Sequence, residues 1–268
     1  MNLKSKTALA VLALMGSTAA FAQAAPAEPA NSLTYNIGAV SDYRFRGITQ
    51  TNNQPSFQGG VDFAHKSGLY VGAWAASNIK WVQDVNGASS GTYELDLYGG
   101  YKAEIMPDLS YDIGLITYRY PGNNSGDVGT LGFATPAVYT KADTNEFYGA
   151  LTYKMVTVKY SQSMGDFLGN ANSGGSRYVE AAATFDLGNG YSLTPHVGRQ
   201  TIPNQVNNVA DYNDYSLALA KDFGNGIVVS GTAYATSANT GFYSNGFGSN
   251  LGRELGKSGA AIGVKYSF

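Results

Sequence analysis

From Leu33 to Gln50 the chain alternates in character. Leu33, Tyr35, Ile37, Ala39, Ser41, Tyr43 and Phe45 form one series, and Thr34, Asn36, Gly38, Val40, Asp42, Arg44 and Arg46 the other. A period of two places the two series on opposite faces of a β-strand, one apolar and aromatic, the other polar and ending in charge. The same alternation recurs over 57–64, 69–77, 92–103, 109–120, 146–154, 156–163, 178–187, 191–199, 214–222, 227–236 and 258–268, which makes twelve strands with the first. A helical reading fails because no face repeats at 3.6 residues and Gly is scattered through the runs.

The connections have a pattern of their own. Tight turns are expected at 65–68 (HKSG), 104–108 (EIMPD), 154–155, 188–190 (GNG) and 223–226 (FGNG). Between them lie long polar links at 47–55, 78–91, 121–145, 164–176, 200–213 and 237–257. Long and short alternate without exception, so every short turn falls at one end of the sheet and every long loop at the other. The fold class this predicts is all-β: a transmembrane up-and-down antiparallel β-barrel of about 12 strands, with short periplasmic turns and long extracellular loops. On the apolar face aromatics flank aliphatic or small residues: Tyr35 and Tyr43 around Ile37 and Ala39, Tyr93 and Tyr101 around Leu95 and Leu97, Phe147 and Tyr153 around Leu151. That is the arrangement of aromatic girdles at two lipid–water interfaces. The apolar face is therefore expected to meet lipid, and Asp42, Arg44 and Arg46 to point inward. A soluble sheet with Tyr hydroxyls at its rim is the competing reading.

The N-terminus changes the picture of where the chain goes. Lys4 and Lys6 precede an apolar run from Ala8 to Met15, followed by Ala20 and Ala22 before Gln23. This predicts a cleaved secretory signal over 1–22, with cleavage as late as 25, then a mobile segment 23–32 and a barrel domain 33–268. The apolar run is shorter than the roughly 20 residues of a spanning helix. Loss of Lys4 and Lys6 takes the formal charge from -2 to -4, and no basic cluster is present, which argues against a nucleic-acid partner. Cysteine is absent, which removes disulfides, thiol ligands and thiol nucleophiles. The last strand, GAAIGVKYSF, sets Ala260, Ile262, Val264, Tyr266 and Phe268 on one face and ends on Phe268. A terminal aromatic after alternating apolar residues resembles the signal read by the barrel-assembly machinery of Gram-negative outer membranes. Strand twelve must also pair with strand one, because a bilayer tolerates no open sheet edge.

The stretch SDYRFRGITQTNNQPSFQGGVDFAHKSGLYVGAWAASNI, Ser41–Ile79, resembles the N-terminal signature of the TorF family of proteobacterial porins, as do YRYPG at Tyr118–Gly122 and the terminal strand. The resemblance covers essentially the whole mature chain and implies an outer-membrane channel. It implies no catalytic or binding residues, so the interior has to be read from its own chemistry.

The interior positions predicted by alternation include the acids Asp42, Asp62, Glu94, Asp96, Asp112, Glu146, Glu180, Asp186 and Asp214 and the bases Arg44, Arg46, Lys102, Lys154, Lys159 and Lys265. Acids outnumber bases, which predicts a mild cation preference for small hydrophilic solutes passing by diffusion. The same charges can instead pair across a narrow interior and fill it. Tyr98, Tyr118, Tyr120, Tyr148 and Tyr178 also point inward, as solute-stacking surfaces or as filling. His196 shares its face with Ser192 and Thr194, but a hydroxyl two residues along a strand stands roughly 6–7 Å away, a weak basis for hydrolysis. No acidic group has spacing that selects a metal, and no cofactor is expected. A third reading is a surface protein presenting the Gly-, Asn- and Ser-rich loops 121–145 and 237–257.

Overall fold

The computed structural model describes residues 31–126, 139–244, 246 and 252–268. The predicted signal and most of the segment 23–32 lie outside the described residues, as do parts of loops 121–145 and 237–257. Sixteen elements follow in chain order: β1 (Ser32–Val40), β2 (Arg44–Phe45), β3 (Ile48–Thr49), β4 (Ser56–Ala64), β5 (Leu69–Ala76), α1 (Trp81–Asp84), β6 (Glu94–Met106), β7 (Leu109–Arg119), β8 (Thr144–Tyr153), β9 (Val156–Ser163), β10 (Arg177–Ala183), β11 (Phe185–Gly188), β12 (Tyr191–Thr201), β13 (Tyr212–Asp222), β14 (Ile227–Thr236) and β15 (Gly259–Ser267). A single 3₁₀ turn, Val206–Asn208, lies between β12 and β13.

β10 and β11 are two halves of one wall strand interrupted at Thr184, and both pair with β12. The wall therefore has twelve strands, each antiparallel to the next, and closes where β1 pairs with β15 in the register Ile37↔Tyr266. The C-terminus completes the seam: Tyr35 and Phe268 exchange backbone hydrogen bonds of 2.9 and 3.0 Å, and the Phe268 ring stacks on Tyr35 and Tyr266. Closure leaves no unpaired wall edge.

Alternation decides the two surfaces. Leu97, Ile113, Leu115, Leu151, Leu217 and Leu219 point outward and are 46–55 % exposed, a belt that only lipid would cover. Tyr35, Phe63, Tyr153, Phe185, Tyr191 and Tyr266 border that belt at the short-turn end, and Phe57, Tyr93, Phe147, Tyr160 and Tyr215 at the loop end. Among the described residues no helix is long and apolar enough to cross a membrane.

The first strand is shorter than its alternation predicts. β1 stops at Val40, and residues 41–55 turn inside the barrel as the β2–β3 hairpin, paired Arg44↔Thr49 and Phe45↔Ile48. Tyr43 and Phe45, expected on the lipid face, are 0 % and 6 % exposed. The turn explains the change of course. Arg46 and Gly47 both have positive φ, 48° and 81°, as a two-residue type I′ turn requires. Asp42 accepts hydrogen bonds from Arg44 Nε (2.7 Å), the Thr49 hydroxyl and the Thr51 hydroxyl (3.3 Å), while the Tyr43 N–H donates to Thr51 Oγ1 (3.1 Å). The hairpin thus carries its own polar partners and can enter the interior without stranding them.

Two other placements differ from expectation. Lys154 is exposed in the β8–β9 turn, with φ 53°, rather than inside, because β8 ends one residue earlier. Its ammonium rests 5.4 Å from the Tyr153 ring. Asp186 is likewise exposed, near the β11–β12 turn, where its carboxylate accepts the Gly188 N–H at 2.8 Å.

Candidate functional site

The inward hairpin spans the barrel like a crosspiece near its loop end. On one side Tyr43 packs edge-on to Trp74 of β5 and donates to Glu94 Oε1 of β6 at 2.7 Å. On the other, Gly47 lies against β13 and β14 so closely that a Cβ there would stand 2.7 Å from Thr236 Cγ2 and 2.8 Å from Asp214 Cβ. From the turn, Arg46 reaches β8 and β12: its two terminal nitrogens bind Glu146 at 3.0 and 2.7 Å, and Nη1 also donates to Gln200 Oε1 at 2.8 Å. The guanidinium lies 4.3 Å from the Tyr178 ring centroid. Burial alone would weaken the guanidinium's hold on its proton, but the Glu146 carboxylate outweighs it and the pKa is raised. Around the hairpin, Phe45, Ile48, Tyr118, Phe167, Ile202 and Leu255 form an apolar layer continuous with Trp81 and Val82 of α1.

The carboxylates at this level are largely occupied. Glu94 accepts Tyr43 and also Tyr120 at 3.0 Å, Glu146 accepts Arg46 and Tyr118 at 3.2 Å, and Asp42 holds Arg44. Asp96, 1 % exposed, is different: its Oδ1 has no hydrogen-bond partner among the described residues.

Below the hairpin the interior is polar, with Lys159, Ser230 and Lys265 buried and other side chains more open. Asp62, Lys102, Asp112 and Thr152 are half-buried, and Thr34 near the short-turn mouth is exposed. Tyrosines narrow this half by lying over glycines of the neighbouring strand. Tyr98 covers Gly72 and Tyr148 covers Gly114, each so closely that a Cβ at the glycine would collide with the phenol. Their hydroxyls are anchored: Tyr98 donates to Asp62, Tyr70 to Asp112 at 2.6 Å, and Tyr70 and Tyr148 share a hydrogen bond. The Lys159 ammonium stands 4.6 Å from the Tyr148 ring.

His196 sits between two acids, with Nε2 3.0 Å from Glu180 Oε2 and Nδ1 3.5 Å from Asp214 Oδ1. The Tyr178 hydroxyl donates to Asp214 at 2.9 Å. The Thr194 hydroxyl is bonded to Thr184 at 3.1 Å rather than to the imidazole. Both ring nitrogens thus face carboxylates, and neither is paired with a Ser or Thr hydroxyl as nucleophilic catalysis requires.

The structure thus brings Arg46, Glu146 and Tyr118 together, Asp42 with Arg44, and His196 with Glu180 and Asp214. Lys102, Asp112, Asp62 and Lys265 belong to the short-turn half, and Lys154 to neither group. Alternation missed Phe45, Ile48, Phe167, Ile202 and Leu255, which are buried together on the loop side. The FRG tripeptide, Phe45–Gly47, is the available signal, since its Gly permits a tight turn.

A family model described as "Bacterial protein of unknown function (Gcw_chp)" matches residues 23–268. No curated protein matches the chain in sequence. Among solved structures, the barrel is similar to the NanC porin, at 10 % identity and a TM-score of 0.51, covering 88 % of this chain and 99 % of that one. It is also similar to the COG4313 outer membrane channel from Pseudomonas putida F1, at 10 % identity and a TM-score of 0.50, covering 90 % and 96 %. These likenesses concern the fold.

Proposed function

The chain belongs to the Gcw_chp family, and on that premise we propose that it is a porin-type channel of the Gram-negative outer membrane, closed on its loop side by its own β2–β3 hairpin. Small hydrophilic solutes pass by diffusion when the hairpin gives way. The observation that carries this reading is a closed barrel whose outer belt is apolar and whose interior is polar from the short-turn mouth up to the hairpin. A belt of half-exposed leucines would be unfavourable in water at about 25 cal/mol per Å² and is neutralised by lipid. Twelve strands enclose more than an eight-stranded barrel, which side chains fill, and less than the 16-stranded porins with their open channels. The TorF resemblance of Ser41–Ile79 fits the same reading. So do export by a cleaved leader over 1–22 and insertion by the barrel-assembly machinery through the strand ending at Phe268.

Most interior acids have internal partners, so selectivity rests on the few charged groups without one. The mild cation preference expected from the acid count is then one outcome of the measurement rather than a consequence of composition. No catalytic step is assigned to the His196 cluster. The test is conductance of the refolded protein in a planar bilayer under a salt gradient. Discrete steps support the channel, and the sign of the reversal potential reports its selectivity. A second reading, a non-conducting barrel that presents its loops, is favoured by one observation, the apolar layer that closes the loop side. Excising the hairpin separates the two, because a gated channel then conducts whereas a non-conducting barrel stays silent.

A further inference from the structure

Eleven buried side-chain polar atoms among the described residues lack a hydrogen-bond partner, and five of them fall on one sector of the interior wall: Lys265 Nζ, Gln58 Nε2 and Ser230 Oγ, with Thr232 Oγ1 and the Tyr234 hydroxyl further along. The sector is β4–β1–β15–β14. In its register, Gln58 of β4 faces Gly38 of β1, Gly38 faces Lys265 of β15, and Lys265 faces Val228 of β14, two residues from Ser230. Gln58 and Lys265 are therefore about 10 Å apart at their backbones, two strand spacings, with a residue lacking any side chain between them. Ser230 in turn pairs with Gly263. Gly38 and Gly263 put no side chain of their own between these groups, and Thr232 and Tyr234 continue the same interior face toward the loops.

The chemistry of the three groups is specific. The Lys265 ammonium and the Gln58 N–H₂ only donate and cannot satisfy one another, while the Ser230 hydroxyl can donate or accept and is likewise without a partner. Lys265 is 7 % exposed, and its nitrogen forms no ion pair. The acid of this sector, Asp62, already accepts the Tyr98 hydroxyl. A buried ammonium with no hydrogen-bonded counter-charge, Asp62 acting on it only from beyond ion-pair distance, and a buried amide N–H₂ without an acceptor are each costly to leave so. What completes them is a compact group rich in acceptors and carrying negative charge. Lys265 lies two residues before Ser267, the end of β15, on the short-turn side of the hairpin, so such a group could arrive without passing the closed loop side.

We propose that this side-chain cluster, Lys265, Gln58 and Ser230, binds a small oxyanion, the carboxylate or phosphate of a hydroxylated solute. The proposal deepens the channel reading, since an oxyanion held there is a solute on the interior path. The test is calorimetric titration of the refolded full barrel in detergent micelles with gluconate, inorganic phosphate and glucose. Saturable binding of gluconate or phosphate is expected, at least about tenfold tighter than glucose, and the preferred anion identifies carboxylate or phosphate as the recognised group. Lys265→Met should weaken that binding at least about tenfold, Ser230→Ala severalfold, while Lys265→Arg retains it. Lys265→Met removes an unpaired buried charge and should leave the folded-barrel gel migration intact. Absence of binding by both anions, glucose binding as tight as theirs, or an unchanged affinity in folded Lys265→Met would each overturn the site. Titration does not depend on current: saturable binding with a silent bilayer keeps the site and removes the channel, and steps in the bilayer without binding do the reverse.

Discussion

Replacing Arg46 by Met is the sharpest perturbation of the closed state. The substitution keeps a long unbranched side chain against Phe45 and Tyr178 but removes the guanidinium that binds Glu146 twice and Gln200 once. Glu146 is 1 % exposed and would keep one donor, the Tyr118 hydroxyl at 3.2 Å. Breaking a buried ion pair by removing one partner costs about 3–5 kcal/mol, because the remaining charge stays desolvated. The barrel can avoid that cost by releasing the hairpin and letting water reach Glu146, so the loss falls on hairpin docking. At 1.4 kcal/mol per tenfold, the released population should rise by roughly two to three orders of magnitude, up to the limit of complete release. Trypsin reads this directly, since Arg44 is buried when the hairpin is docked and becomes a cleavage site when it is not. Cleavage after Arg44 should accelerate by about that factor as long as reclosing is faster than cutting. Adding Glu146→Gln should return most of the protection, because it removes the stranded charge. If folded Arg46→Met is cut within about twofold of the wild-type rate, the hairpin is not held by this pair and the reasoning fails.

Three further outcomes follow from other contacts. Gly47→Ala places a methyl 2.7 Å from Thr236 Cγ2 at φ 81°, so it should raise the open fraction in single-channel traces while the barrel's heat-modifiable gel shift stays normal. Leu217→Arg puts a charge at the middle of β13 on the lipid face and should lower unfolding stability in lipid vesicles by roughly 2–4 kcal/mol, against near zero for Leu217→Ile. Deleting Phe268 removes the stacking on Tyr35 and Tyr266 and one backbone pair at the seam, so the amount of heat-modifiable protein recovered in the outer-membrane fraction should fall clearly below wild type.

The wall was legible in the sequence because its determinant is local. Period-two alternation and turn residues such as Asn189 and Asn225, both at positive φ, act within a few residues of where they stand. The interior was legible only as a direction. Asp42, Arg44, Glu94, Glu146 and Asp214 are buried inside, but which acid meets which base depends on the barrel's circumference. Arg46 and Glu146 are a hundred residues apart in sequence and opposite one another in space. The hairpin was not legible for a physical reason: Asp42–Phe45 continues the alternation of β1, and alternation does not distinguish a strand facing lipid from one folded into the lumen. Tyr43 and Phe45 suit either setting. Lys154 falls outside the interior because β8 ends at Tyr153, and at a turn one residue changes both face and exposure.

On the proposed function, the hairpin closes a channel that the wall otherwise leaves open. The most direct test compares, in planar bilayers, the wild-type barrel with a variant in which residues 43–54 are replaced by a short Gly-Ser link, both first shown to be folded by gel shift. The variant should conduct steadily, with the wild type showing brief or small openings under the same voltage. A folded variant as silent as the wild type would contradict the account, because the closure would then belong to the wall and its tyrosines rather than to the hairpin.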